Sequence, residues 1–546
     1  MRPKSGGEDV NIFLIGVIVS IIVYLVVGLY AGRQVKDVND YYVSGRNAPT
    51  LLISGTLFAS MLSVNGFMGD QGWCYTGNIT SLVFLNALCA CGYVFGPLVF
   101  GRYLRRSECT TMPEYFGMRY KDMKIRRIAA IITIVSLTAY LLACITGVGI
   151  LMQELTGFSY EACLLLAWGC FTAFTFYSGS KGVVLTDTIM FLVFLFAAIL
   201  SGPVIFKAQG GVSQLLANLM NNPALPEGLL DFHGNIAGTG AEDVFGAMMY
   251  AVTMGIIWFI TVAVSPWQAG RNLMAKSEHV TFRSGVIAAI CTVIFLMYLN
   301  LQSVAVLNLN GALEDPQRVL IWASFEILPK LLGTLLLAGI MAAGLSSAST
   351  FLSVIGFSMT SDIIKKDFKD EKEQLGFSRM IMLVVGIIAL ALAYMGLGGI
   401  RVISWFASTI IAASWVVPGV GSIISQKLSA TGARWSMIAG FLGFMVTKCL
   451  AGFGVQPFAS VFINFLDPFF VGLYLSILFA VAGSKLHPVR KEEKECREEL
   501  LILPESEKKA SEYRRDRYYG YLLIAVGIAT TCFLLFGWAL PYNGLL

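Results

Sequence analysis

Ala343, Ser346, Ser347 and Thr350 stand at i, i+3, i+4 and i+7. On a helix that spacing draws one stripe. The surrounding stretch, 331–359, is apolar and long enough to cross a bilayer. Hydroxyls at that depth must hydrogen-bond a neighbouring helix or ligate something that needs oxygen. A hard cation such as sodium meets the second description. Gly339, Ala343 and Ser347 also form a small-xxx-small ladder, which reads as close helix packing with no ion involved. Asp187 is a second chemical group at membrane depth. A carboxylate in the first turn of an apolar helix is either held by the helix dipole or functional.

The elements that position these groups are membrane spans. The 546 residues are 56% hydrophobic and 13% charged, with mean hydropathy +0.72. That composition describes a polytopic all-α membrane protein. Apolar runs at 11–32, 50–76, 79–103, 128–154, 158–177, 183–206, 244–268, 284–308, 331–359, 377–396, 400–426, 435–453, 459–484 and 519–539 predict about fourteen transmembrane helices. The first run is too long for a signal-peptide core and lacks an A-x-A exit, so it reads as a retained helix. Arg102, Arg105, Arg106, Arg119, Lys121, Lys124, Arg126 and Arg127 crowd one loop, which the positive-inside rule makes cytoplasmic. Alternation then puts 33–46, 178–182, 271–283, 365–379, 427–434 and 485–517 inside, and each carries Lys or Arg. The loops at 210–243 and 308–330 and both termini fall outside. The inside segment 485–517 reads as a solvated surface helix or tail. Three histidines and eleven scattered cysteines form no metal or redox cluster. No catalytic constellation, phosphate loop or basic aromatic patch appears, which argues against an enzyme and against nucleic acid.

Two spans carry helix breakers. The run 50–76 contains Ser63-Val64-Asn65-Gly66 and Gly69-Asp70-Gln71-Gly72; the run 244–268 contains Gly246, Gly255 and Pro266. They lie five spans apart. Paired interrupted helices in two halves of a membrane protein point to a transporter's binding site; the plainer reading is that Gly and Pro are common in membrane helices.

These features resemble the sodium:solute symporter family. The similarity rests on Asp40-Tyr-Tyr-Val-Ser-Gly-Arg46, on Ala59-Ser-Met-Leu-Ser with Phe67, Gly69, Gly72 and Tyr75, and on Trp258, Pro266, Arg271 and Ala275-Lys-Ser277. It rests also on Ala342-Ala-Gly-Leu-Ser-Ser347, and more weakly on Tyr177-Ser-Gly-Ser-Lys-Gly182 and Thr111-Met-Pro-Glu-Tyr-Phe116. The resemblance implies a LeuT-type five-plus-five inverted repeat with flanking helices. Residues 1–49 would be an extra helix and loop, 50–206 and 207–426 the repeats, and 427–546 further helices. It implies sodium-coupled symport of an amino acid, a monocarboxylate or vitamin, or a sugar by alternating access in the plasma membrane, with sodium as the co-transported ion and no organic cofactor. Carried over by residue, sodium would meet the carbonyls of Ala59, Leu62 and Ala343 and the hydroxyls of Ser346 and Ser347. A second sodium, found in some members, would use Asp187 with Ser346, Ser349 and Thr350. Solute would contact Ser63, Asn65, Gly66, Phe67, Trp258, Pro266 and, more weakly, Asn86 and Thr261. Some members carry an aspartate where this chain has Met61, an arginine in the 128–154 helix, or a lysine in the eighth run, where this chain offers Asn300 and Gln302. A proton-coupled relative using Asp187, and a membrane sensor on the same fold, are the alternative readings.

Overall fold

Every backbone amide at membrane depth needs a partner, and an α-helix supplies it locally. The computed structural model accordingly builds the chain from helices. It describes residues 11–32, 42–222, 225–226, 228–229, 231–364, 368–459, 465–508 and 511–545. Asp40 and Tyr41 of the entry motif lie outside the described residues, as do the side chains of 177–182.

Thirteen described helices are long and apolar enough to cross a membrane, and the shorter apolar helix Tyr160–Phe176 makes a fourteenth element. The first, α1 (Ile12–Gly32), precedes the first broken helix, formed by α2 (Thr50–Val64) and α3 (Asp70–Tyr75). Then come α4 (Ile79–Gly96), the short α5 (Arg102–Ser107) and α6 (Met112–Arg119), and α7 (Met123–Thr156). One helix, α8 (Tyr160–Ala208), contains the next two expected spans. The sequence puts a loop at 178–182, but the backbone stays helical there, since no proline interrupts it. The second broken helix opens with α9 (Val244–Val264), followed by α10 (Glu278–Leu309), α11 (Val319–Glu326), α12 (Lys330–Ser358), α13 (Glu371–Tyr394) and α14 (Ile400–Ile424). The chain ends with α15 (Ala430–Gly452), α16 (Pro468–Leu486), α17 (Lys491–Leu501) and α18 (Ser511–Cys532).

Burial sorts these helices. The most apolar window of the first broken helix is 89% buried and that of the α12 span 83%, against 22% for α1 and 6% for the last span. The broken helix and the hydroxyl-bearing helix therefore stand at the centre, and the first and last spans face lipid. Small residues let the centre close up. A Cβ on Gly92 would lie 2.5 Å from the Phe259 carbonyl, and one on Gly96 2.8 Å from Ala263 Cα, so α4 lies directly on α9.

The segment 485–517 departs from its sequence reading. Glu493, Cys496 and Leu500 form a buried face on α17, while Lys491–Glu495 and Lys494–Glu498 pair on its wet side. Arg119 donates to the carbonyls of Ser422 (2.7 Å) and Glu493 (3.0 Å). The Glu493 carboxylate accepts from the Ala430 amide (2.9 Å) and Arg490 Nε (2.6 Å). At the end of α17, Arg106 Nη1 donates to the Leu500 carbonyl at 2.6 Å, and beyond it the Glu278 amide donates to the Glu507 carboxylate at 3.0 Å. The segment is a strap held across the basic-loop end. Its apolar stripe is one residue wide per turn, too thin to stand out among so many charges.

Burial pushes the Cys496 thiol above its ordinary range, which keeps it from the reactive thiolate form. Glu493→Ala should lower stability by about 1–3 kcal/mol by stranding buried donors. It should also speed maleimide labelling of Cys496, followed by mass spectrometry alongside thermal unfolding. A labelling rate equal to wild type would mean that Glu493 does not hold the strap down.

Candidate functional site: two helix breaks and a hydroxyl stripe

The first break is at Ser63, whose φ of 45° and ψ of −173° take the chain out of helix. A non-glycine residue in that region is strained, by about 1–3 kcal/mol, unless its surroundings hold it there. Ser63 Oγ accepts from the Asn65 amide at 3.1 Å and lies 3.4 Å from the Tyr140 hydroxyl. A π-helical turn, Asn65–Gly69, follows. Gln71 Nε2 donates to the Gly66 carbonyl at 2.9 Å, and Ser303 in turn donates to Gln71 at 2.7 Å. The break is thus braced from α3 and α10.

The second break falls at Ser265-Pro266, not at Gly246 or Gly255, which stay inside α9. The Ser265 backbone turns to ψ 151°, and a 3-10 turn resumes at Ala269–Met274. Gln268 Nε2 donates to Ser60 Oγ at 3.2 Å, which ties this break to the helix carrying the first. Thr261 donates to the Ser408 carbonyl at 3.2 Å. Tyr140, Trp267 and Phe351 meet in one aromatic cluster, with Tyr140 stacked on Phe351 at 4.6 Å. Near Trp267, a cavity of about 40 Å³ lies between Tyr42, Thr111, Pro266, Arg271 and Thr350.

The hydroxyl-bearing helix packs beside the first break. A Cβ on Gly344 would meet Val64 Cγ2 at 3.1 Å and Val148 Cγ2 at 2.5 Å. Ala59, Leu62, Ala343, Ser346 and Ser347 are all buried. The Leu62 carbonyl accepts from the Asn65 amide and keeps a second lone pair. Ser346 and Ser347 Oγ close no hydrogen bond among the described residues, although Ser346 lies within reach of Asp187.

Asp187 has other company. Its Oδ2 accepts from Thr56 at 2.7 Å and from Arg271 Nη2 at 3.3 Å. The same Nη2 donates to Thr350 Oγ1, and Ser349 donates to the Ser346 carbonyl at 2.9 Å. The expected second-sodium group is gathered, but a guanidinium stands in it.

Two expected solute contacts, Phe67 and Asn86, have protein neighbours here. Phe67 packs on Phe194 and Phe295, among aromatics of α8 and α10. Asn86 Nδ2 donates to Met297 Sδ at 3.8 Å across α4 and α10. Trp258 is buried within α9.

Sequence reasoning missed a cluster at the end away from the strap. The Arg401 guanidinium carbon lies 3.5 Å from the Trp73 ring centre and 3.6 Å from that of Trp405. Its Nε is 3.8 Å from Asp70 Oδ1, and its Nη1 donates to Tyr250 at 3.3 Å. Asn65 Nδ2 donates to Asp70 Oδ2 at 3.1 Å. Arg401 Nε and Nη2 have no acceptor at hydrogen-bonding distance. A Cβ on Gly69 would touch the Arg401 backbone at 3.2 Å, so the start of α14 lies directly on the π-helical turn after the first break. Asp70 at membrane depth, and Arg401 at the head of an apolar run, were the signals available.

Two interrupted helices crossed at the centre of a helical membrane bundle define the class of the protein: a secondary transporter. The sodium:solute symporter family model matches residues 41–440. The Escherichia coli (strain K12) sodium/proline symporter is 24% identical over 456 residues, 80% of this chain and 88% of that protein. The sodium/pantothenate symporter of Haemophilus influenzae is 25% identical over 479 residues, 81% of this chain and 92% of that one. Among solved structures, a Na+-coupled sialic acid symporter in a substrate-bound outward-open state superposes with a TM-score of 0.72. It is 18% identical and covers 88% of this chain and 99% of its own. The chain belongs to the sodium:solute symporter family. It is a multi-pass membrane transporter that couples sodium to a small solute, and not an enzyme.

A guanidinium between two indoles gains about 0.5–2 kcal/mol per face, so Arg401 should hold the mouth shut. Arg401→Gln should raise the rate at which a methanethiosulfonate reagent modifies buried Cys74 several-fold. An unchanged rate would show that the mouth is closed by something else.

Proposed function

We propose that sodium binds between the first break and α12, at the carbonyls of Ala59, Leu62 and Ala343 and the hydroxyls of Ser346 and Ser347. One observation carries the reading: the buried hydroxyls of Ser346 and Ser347 close no hydrogen bond among the described residues, on a helix that packs against the first break. Five neutral oxygens suit a monovalent ion. Sodium there ties α2 to α12. Because the same break lines the solute pocket, ion and solute raise each other's affinity by the same factor. With the basic loops inside, the Arg401 mouth is the outer gate and the strap lies on the cytoplasmic face, with both chain termini outside. The cycle is alternating access: ion and solute enter past Arg401, the pocket occludes, and release follows on the Trp267 side. A potential of 100 mV adds about 2.3 kcal/mol per charge moved inward.

The solute sits between the breaks, near Ser63, Asn65, Gly66, Thr261, Trp258 and Pro266, and carries a carboxylate. Arg401 favours that class, because its Nε and Nη2 form the edge that grips a carboxylate in two parallel bonds. Proline and pantothenate, named for the two relatives above, both bear one.

In proteoliposomes, a panel of radiolabelled proline, pantothenate, pyruvate and galactose tests both parts. Uptake of a carboxylate-bearing member should require sodium at fixed pH. Ser346→Ala and Ser347→Ala should each raise the half-saturating sodium concentration about five- to tenfold, the loss of one ligand of about 1–1.5 kcal/mol. Sodium dependence untouched in both variants defeats the ion site; sodium-driven uptake of galactose alone defeats the carboxylate.

A further inference from the structure

The geometry points to a zwitterion as the solute: an amino or imino acid whose carboxylate meets Arg401 and whose ammonium meets Asp70 and Asn65. This solute class rests on the carboxylate reading above and narrows it.

The Arg401 cluster holds unpaired atoms of both kinds. Among the described residues, Arg401 Nε and Nη2 are donors without an acceptor, and Asp70 Oδ1 and Asn65 Oδ1 are acceptors without a donor. All four atoms are buried. Asp70 Oδ1 stands 3.8 Å from Arg401 Nε, beyond hydrogen-bonding distance. Asn65 is tied to the same carboxylate, its Nδ2 donating to Asp70 Oδ2 at 3.1 Å. A Cβ on Gly69 would lie 2.4 Å from Asn65 Oδ1 and 3.2 Å from the Arg401 backbone, so that acceptor also stands beside the start of α14. A pair that served only to join two helices would gain by closing, because each orphaned buried atom is a cost. The arginine's other contacts hold the gap open. Its guanidinium carbon rests on Trp73 and Trp405, and its Nη1 donates to Tyr250.

Asp70 decides which carboxylate fits. A carboxylate on the Nε–Nη2 edge lies about 2.8 Å from each nitrogen, which brings it alongside Asp70 Oδ1. Two anions that close repel each other strongly where water does not screen them. Pyruvate or pantothenate brings its carboxylate without a cation and meets that repulsion in full. In an α-amino acid the ammonium nitrogen lies about 2.5 Å from the carboxylate carbon. It enters between the two anions and donates to Asp70 Oδ1 and Asn65 Oδ1. The solute then supplies acceptors to the arginine and N–H donors to the two oxygens, and all four orphaned atoms are paired at once. Asn65 opens the π-helical turn that follows the first break, so the ammonium is read by the broken helix and the carboxylate by α14.

Sodium-driven uptake into proteoliposomes is measured for the radiolabelled protein amino acids, pyruvate, pantothenate and galactose. At least one amino acid should be carried. Its analogue with oxygen in place of the amino nitrogen keeps the shape and the carboxylate but loses the cation, and should compete at least about tenfold less well. In Asp70→Asn the half-saturating concentration of that amino acid should rise about tenfold or more, the loss of a hydrogen bond between charged groups. Inhibition by pyruvate should hold or strengthen in the same variant, whereas a merely structural role for Asp70 would weaken both ligands together. Asp70→Glu, which keeps the charge, should recover part of the loss. Uptake of pyruvate or pantothenate with no amino acid carried, equal competition by the oxygen analogue, or an equal loss for both ligands in Asp70→Asn overturns the proposal. Should Asp70→Asn not fold, the competition on wild type decides alone. Uptake of galactose and nothing else sinks the carboxylate reading instead.

Discussion

At membrane depth a peptide group without a partner costs several kcal/mol, and at Ser63 the chain leaves the helix inside that zone. Much of the centre is arranged to meet the consequence. The Asn65 amide turns to Ser63 Oγ, the Gly66 carbonyl takes Gln71, and Gln71 leans on Ser303. The Leu62 carbonyl accepts from the same Asn65 amide and keeps a second lone pair. The sodium site proposed above would follow from this opening: oxygens released from helical bonding are what a desolvated cation requires, and a helix without a break has none to offer.

The same constraint explains why the polar residues sit where they do. Gln268 spans from the second break to Ser60, so the two irregular segments hold each other. The charged groups at depth are paired across elements that belong to different parts of the bundle: Asp187 with Arg271, Asp70 with Arg401. Each pair is a poor source of stability, since desolvating two charges offsets most of their attraction. Their value is positional. Each fixes a register between helices whose apolar faces would tolerate sliding.

The spans, the two interruptions and the stripe were legible because they are periodic or punctuated. Hydropathy runs set the helices, and Ser63-Val64-Asn65-Gly66 and Pro266 marked the breaks to within a residue or two. What stayed hidden was pairing. Nothing in the neighbourhood of Arg271 says that it turns inward to Asp187, 84 positions away, and its place beside a basic loop suggested solvent. Arg401 and Trp73 lie 328 residues apart. Phe67, a solute contact only through the family resemblance, sits in a π-helical turn with its ring packed on Phe194 and Phe295. Alignment along one helix can be read from spacing; which helix faces it cannot.

The strap has a bearing on movement that its hydrogen bonds alone do not convey. It leaves α16, which packs on α14 and α15, and ends in α18, which rests on α4 and α10. Its first half grips α6 and the end of α14; its second half grips Arg106 and Glu278 at the ends of α5 and α10. In the alternating-access cycle proposed above, the strap joins two groups of helices at the inner side. The two groups are thereby tied to each other by the protein's own polypeptide, across the end of the bundle that carries the basic loops.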